Sequence, residues 1–113
     1  MFKVIIFGAA GRMGRSLVLG VQESHEFTLF GALESEGNES LGLDAGELAG
    51  IGKTGVLLSP SDESLIEQAD VMIDFSSPAA SISNAEICAE FGTALVIGTT
   101  GIDSEQEDGL RKC

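Results

Sequence analysis

The amino-acid sequence predicts an α/β fold with a doubly wound parallel sheet. Three observations carry that expectation. Short apolar blocks rich in Val and Ile alternate with stretches of helical periodicity. The first block runs directly into a glycine-spaced loop, GAAGRMG, at Gly8–Gly14. Apolar residues make up 43% of the 113 residues, enough for one ordered core and too short a chain for two domains.

The elements follow in order. Phe2 to Phe7 is a nearly continuous apolar run, as expected of a strand buried on both faces. A helix is predicted from about Gly11 to Glu23, with Met13, Leu17, Val18 and Val21 on its inner face. Phe27 to Leu33 reads as the second strand and Val56 to Leu58 as a short third. Between them, residues 35–55 are polar and Gly-rich, with a helical turn expected near Ser40 to Leu48. Ser59 to Ala69 reads as a helix with Leu65, Ile66 and Ala69 inward, and Val71 to Phe75 as the fourth strand. Ser77 can cap a helix that begins at Pro78 and carries Ile82, Ala85, Cys88 and Ala89 at helical spacing. Ala94 to Ile97 is the fifth strand, Gly98 to Gly101 a loop, and Asp103 with Gln106 a capping pair for a final helix.

Composition excludes several function classes. The formal charge of −12 disfavours nucleic acid and anionic membrane surfaces, which demand a positive field. No apolar run reaches a membrane span, and the N-terminus lacks the shape of a signal peptide, so a soluble, cytoplasmic protein is expected. Cys88 and Cys113 form no disulfide framework and no zinc motif; Cys88 reads as a small core residue. Two of the six basic residues, Arg12 and Arg15, lie in or just after the glycine loop, where an anionic ligand would want them.

A strand that ends in glycine and turns straight into a helix leaves the first N–H groups of the helix pointing outward, a ready site for an anion. Gly8 suits the sharp turn, Gly11 the close approach of a pyrophosphate, and Gly14 the packing of helix on strand. The spacing is GxxGxxG instead of GxGxxG, and taken alone it serves a structural turn about as well. Glu34, at the end of the second strand, tips the balance, because a dinucleotide site wants an acid there for the adenine ribose hydroxyls. The loops after the fourth and fifth strands, DFSSP and GTTG, lie where open sheets bind ligands, although Gly98, Thr99 and Thr100 equally suit a plain turn.

Other candidates fall away. GKT at Gly52–Thr54 would need glycine where Glu47 stands to be a P-loop. Asp44 with Glu47, and Asp62 with Glu63, read as solvated surface acids without metal-ligand spacing. His25 lies in an exposed turn at the wrong end of the sheet for this site.

GAAGRMGR, LGLDAGELAGIGKTGV, DVMIDFSSP and LVIGTTG resemble, in order and spacing, the 4-hydroxy-tetrahydrodipicolinate reductase family of lysine and diaminopimelate synthesis, also called dihydrodipicolinate reductase. The resemblance implies a Rossmann-type dinucleotide-binding domain over residues 1–113. It implies that Gly8, Ala9, Ala10, Gly11, Arg12 and Met13 wrap the pyrophosphate, with Arg12 toward the adenosine, and that Glu34 holds the ribose. Gly98, Thr99 and Thr100 would line the nicotinamide end, Thr100 near the small-molecule substrate.

Two departures qualify the match. Ser35 stands where members that use NADPH well often carry a basic residue, so NADH is the expected cofactor, with NADPH within reach through Arg12 or Arg15. The family's substrate-binding and tetramer-forming domain, with its histidine-rich segment and lysine, has no counterpart here. The chain reads as truncated at GLRKC, and no catalytic residue is assigned. Two rival readings stay open: another amino-acid-pathway dehydrogenase, and a stand-alone NAD(H)-sensing module without chemistry.

Overall fold

The computed structural model describes residues 2–60, 62–75 and 78–98. The strands are β1 (Phe2–Phe7), β2 (Phe27–Leu33), β3 (Leu58–Ser59), β4 (Val71–Asp74) and β5 (Ala94–Ile97). The helices are α1 (Arg12–Glu23), α2 (Ala45–Leu48), α3 (Glu63–Gln68) and α4 (Pro78–Phe91). All strand pairs are parallel, in the order β3-β2-β1-β4-β5. The chain therefore winds outward from β1 in both directions, which opens a crevice at the carboxyl ends of β1 and β4. Among the described residues, no helix is long and apolar enough to cross a membrane.

β1 separates two apolar layers by the period of a strand. Val4 and Ile6 pack with Val18 and Val21 of α1, while Ile5 and Phe7 pack with Ile66 of α3, Met72 of β4 and Cys88 of α4. β2 keeps pace through a register shift: Val4 faces Leu29, but Ile5 faces Gly31, so Phe30 is extra. The shift lets Leu29 and Ala32, three positions apart, serve one layer while Leu33 serves the other. Burial, with Asp74 nearby, pushes the Cys88 thiol up to about 11, consistent with a small core residue.

The helices bury one stripe each. In α1 it is Gly14, Leu17, Val18 and Val21; Met13, expected inside, is 53% exposed because the stripe starts one residue later, on glycine. In α4 the stripe is Ser81, Asn84, Ala85 and Cys88, and Ala89, also expected inside, is exposed on its flank. The buried amide of Asn84 donates from Nδ2 to Oδ2 of Asp74 at 3.0 Å, tying α4 to the end of β4. Thr93 Oγ1 donates to the carbonyl of Ile66 at 2.7 Å and ties the turn between α4 and β5 to α3.

Several expected boundaries move, and the helical turn expected near Ser40 to Leu48 is confined to Ala45–Leu48. The third strand begins at Leu58, because Ala45 N–H takes the carbonyl of Val56 and Leu57 bridges antiparallel to Asp44 instead of pairing with β2. The third helix begins at Glu63. Ser59 belongs to β3, its extended backbone favoured by Pro60, and Asp62 caps the helix by accepting from the N–H groups of Ser64 and Leu65. The fourth strand stops at Asp74, one residue early. The Ser77 cap and the helix expected around Asp103 and Gln106 lie outside the described residues.

Asp44 is not the solvated acid its neighbours suggested. It is buried, and its carboxylate accepts from the N–H groups of Gly46, Glu47, Thr54 and Gly55 and from the Thr54 hydroxyl at 2.8–3.2 Å. Glu47 is exposed, as are Asp62 and Glu63. The backbone N–H of Thr54 is the largest of the influences that hold the Asp44 carboxyl well below the usual carboxylate range, against the opposing effect of burial. The charged form therefore supports the fold above the ordinary carboxylate pKa of about 3.9, and that support fades as pH falls below it. Asp44→Asn should lower the urea midpoint near neutral pH, and the gap from the unmodified chain should shrink below about pH 4.

Candidate functional site

The loop between β1 and α1 is set by two glycines. Gly8 takes φ +87°, a conformation few other residues accept, and donates its N–H to the carbonyl of Leu33 at 2.9 Å. That bond hooks the end of β1 onto the end of β2. Gly14, one turn into α1, lies so close to the loop that a Cβ there would overlap the carbonyl of Gly8 and would sit 2.7 Å from the Cα of Ala9. The missing side chain brings the start of the helix down onto the strand.

Gly11 is different. It caps α1 in an ordinary extended conformation, φ −73° and ψ 169°, and a Cβ on it would meet only the Gly8 carbonyl at 3.4 Å. Nothing inside the described protein requires a glycine there. No side chain caps α1 and no acid sits in its first turn, so the helix start carries its positive end toward solvent.

Glu34 closes the other side. It is 9% exposed, its Oε2 accepts from the N–H of Ala10 at 3.0 Å, and its Oε1 accepts from the N–H of Ser35 at 3.1 Å. Each carboxylate oxygen keeps acceptor capacity beyond these bonds. Gly8, Ala10, Gly11 and Glu34 line a single cavity of about 470 Å³ with Ser35, Asn38, Glu39, Ser40 and Phe75. The glycine loop that leads into the uncapped start of α1 and a carboxylate thus face one space, which suits a ligand with both an anionic group and vicinal hydroxyls.

Phe75, at the end of β4, links this cavity to the end of β5. A Cβ on Gly98 would overlap the Phe75 ring, and Gly98 N–H donates to the carbonyl of Asp74 at 2.8 Å. The glycine therefore has a packing role, which its neighbours in sequence did not signal. Thr99 and Thr100, the other two residues expected at this end, lie outside the described residues.

Not every residue of the expected set meets at the cavity. The Ala9 side chain is buried in the core, and its N–H joins Gly8 on the Leu33 carbonyl at 3.3 Å. Met13 points away from the core and is absent from the cavity lining. Arg12 lines a separate groove of about 250 Å³ between α1 and α2, with Arg15, Ser16, Leu19, Leu48 and Ala49. Sequence reasoning missed Asn38, Glu39 and Ser40, which reach the cavity through turns no local motif announces: Asn38 N–H donates to the Ser35 carbonyl at 3.1 Å, and Asn38 Oδ1 accepts from Ser40 N–H at 2.8 Å. His25 is exposed. Among the described residues, no three His, Cys, Asp or Glu side chains gather to hold a metal ion.

Residues 2–113 match the family model described as "Dihydrodipicolinate reductase, N-terminus". The chain is 43% identical over 112 residues to 4-hydroxy-tetrahydrodipicolinate reductase of Psychrobacter arcticus, covering 99% of this chain and 40% of that protein. It is 46% identical over 108 residues to the protein of the same name from Acinetobacter baumannii, covering 96% and 39%. Among solved structures it is similar to a dipicolinate-bound dihydrodipicolinate reductase from Paenisporosarcina sp. TG-14, with a TM-score of 0.74 and 26% identity over 97% of this chain and 42% of that one. The chain thus spans about two-fifths of the length of the curated relatives it matches.

The two glycines of α1 should separate in a denaturation experiment. Gly14→Ala, which forces the helix off the loop, should cost about 1–3 kcal/mol. Gly11→Ala should cost less than about 1 kcal/mol, the usual difference between these residues at a helix cap.

Proposed function

The chain belongs to the dihydrodipicolinate reductase family, whose N-terminal part it carries, and from that premise we propose that residues 1–113 act as the NAD(P)H-binding domain of a 4-hydroxy-tetrahydrodipicolinate reductase. When bound, the nicotinamide supplies the hydride; the residues of this chain bind the cofactor and fix its orientation. The observation that supports this reading most is the meeting of Gly8, Ala10, Gly11 and Glu34 around one cavity at the carboxyl ends of β1 and β2.

In this reading the uncapped start of α1 receives the pyrophosphate, and Gly11 is a glycine because the ligand approaches there. The free lone pairs of Glu34 accept from the ribose hydroxyls, while its bond from Ala10 N–H holds the carboxylate and the loop in one arrangement. Ala9 and Met13 contribute backbone only. Arg12 and Arg15, set in their own groove, take the adenosine side. Gly98, Thr99 and Thr100 line the nicotinamide end. No residue here is assigned to the chemical step; the substrate contacts and the proton donor of a reductase would come from the part of the relatives that this chain does not match. The proposal extends to a cytoplasmic, homotetrameric enzyme that acts on a small molecule.

NADH is the preferred cofactor in this proposal. Ser35 offers no positive charge to a 2′-phosphate, and Glu34 beside it repels one. NADPH is admitted through Arg12 or Arg15.

Titration with NADH and NADPH, followed by cofactor fluorescence because the chain has no Trp, tests the reading. NADH should bind more tightly than NADPH, and failure of both at millimolar concentration in a folded sample defeats the proposal. Gly11→Ala should weaken NADH by about tenfold, the equivalent of one lost charge-assisted hydrogen bond, while the fold persists. Ser35→Arg should raise NADPH affinity relative to NADH by about tenfold. An unchanged ratio would remove Ser35 as a determinant.

A further inference from the structure

The cavity is more acidic than Glu34 alone makes it. Glu39, five positions further along the chain, lines the same space, and among the described residues that line it none is basic. In sequence Glu39 is one acid among many in a polar connection. In the fold it is brought round to the rim beside Ser35, where the ribose edge of the proposed cofactor would lie.

The placement is held from both ends. Glu34 N–H donates to the carbonyl of Ser59 at 2.9 Å, and Gly42 N–H donates to the carbonyl of Leu58 at 2.8 Å, so both ends of residues 34–42 are pinned to β3. Leu58 N–H returns a bond to Leu43 at 2.9 Å, and the Asp44 carboxylate fastens the chain immediately beyond. Within the segment, the turn bonds from Asn38 to Ser35 and from Leu41 to Asn38, at 3.1 and 3.2 Å, leave little freedom for the backbone to carry Glu39 away. Its side chain is exposed at the rim.

From this we infer that Glu39 is a second specificity-determining residue, which repels the 2′-phosphate of NADPH across the mouth of the cavity and acts together with Glu34 and the uncharged Ser35. The inference rests on the cofactor reading above and deepens it. Discrimination of this kind works by an unfavourable interaction with the wrong ligand, leaving NADH contacts untouched. A charge acting through partly aqueous space on a doubly charged phosphate is worth about a fivefold change in affinity at low salt, and less as salt screens it.

The experiment is a titration of the chain and its Glu39→Gln and Glu36→Gln variants with NADH and NADPH, at low and at high salt. Glu36 is an equally exposed acid of the same segment that does not line the cavity. Glu39→Gln should raise NADPH affinity about fivefold at low salt, leave NADH within about twofold, and lose most of the gain at high salt. Glu36→Gln should change the ratio little. An equal change in both cofactors on Glu39→Gln, a gain that salt does not reduce, or an equal gain from Glu36→Gln each overturns the assignment. If NADH binds as expected and the ratio does not move, the inference fails while the cofactor reading stands; if neither cofactor binds the unmodified chain, both fail.

Discussion

The approach of α1 to the end of β1 depends on an atom that is missing. With no Cβ on Gly14, the first turn of the helix rests on the carbonyl of Gly8 and on Ala9. That contact sets the height of the helix start above the sheet, and so the position of its unpaired N–H groups. Gly8 supplies the complementary freedom: its positive φ turns the chain within one residue, and its N–H anchors the turn to β2. The carboxylate of Glu34 can meet Ala10 because these two constraints bring the loop back over the end of β2.

The polar connection between β2 and α3 contributes through a different device. A stretch of this composition has little apolar surface with which to order itself. One buried carboxylate takes the place of a core: Asp44 gathers N–H groups from both its own helix start and the turn at Thr54 and Gly55, satisfying donors that would otherwise need water. Beneath the Gly46 backbone there is no room for a side chain, since a Cβ would overlap the carbonyl of Gly52 and the methyl of Thr54. Thr54, the last residue of GIGKT, is thus a partner of Asp44 through both its N–H and its hydroxyl. The rim of the cavity at Asn38, Glu39 and Ser40 inherits its order from this knot.

Legibility in the sequence followed the physics of each element. β1, β2 and β5 were readable to the residue because apolar runs bounded by polar turns have one sensible reading in a two-sided sheet. That the glycine loop and Glu34 meet around one cavity was readable because a helix start and an acid at the next strand end form a pattern with a mechanism. What could not be read was tertiary. Asp44 looked like any surface acid, since its partners at Thr54 and Gly55 are ten and eleven positions away and irregular in structure. Val56 looked like a strand residue until its carbonyl was claimed by Ala45. The inner stripes of α1 and α4 include Gly14, Ser81 and Asn84, residues that a hydrophobic pattern passes over in favour of Met13 and Ala89.

The single extra residue at Phe30 carries more weight than its size suggests. Strand side chains alternate, so pairing these same residues with β1 one to one, without the shift at Phe30, would turn every later position of β2 to the opposite face. Leu33 would leave its layer, and Glu34, whose carboxylate reaches Ala10, would be aimed across the sheet from the loop it serves. The bulge is therefore a phase setting: it lets one strand serve both core layers through Leu29, Ala32 and Leu33 and still aim Glu34 at the loop. The same residues paired without the shift would carry both a core leucine and the acid to the wrong side of the sheet.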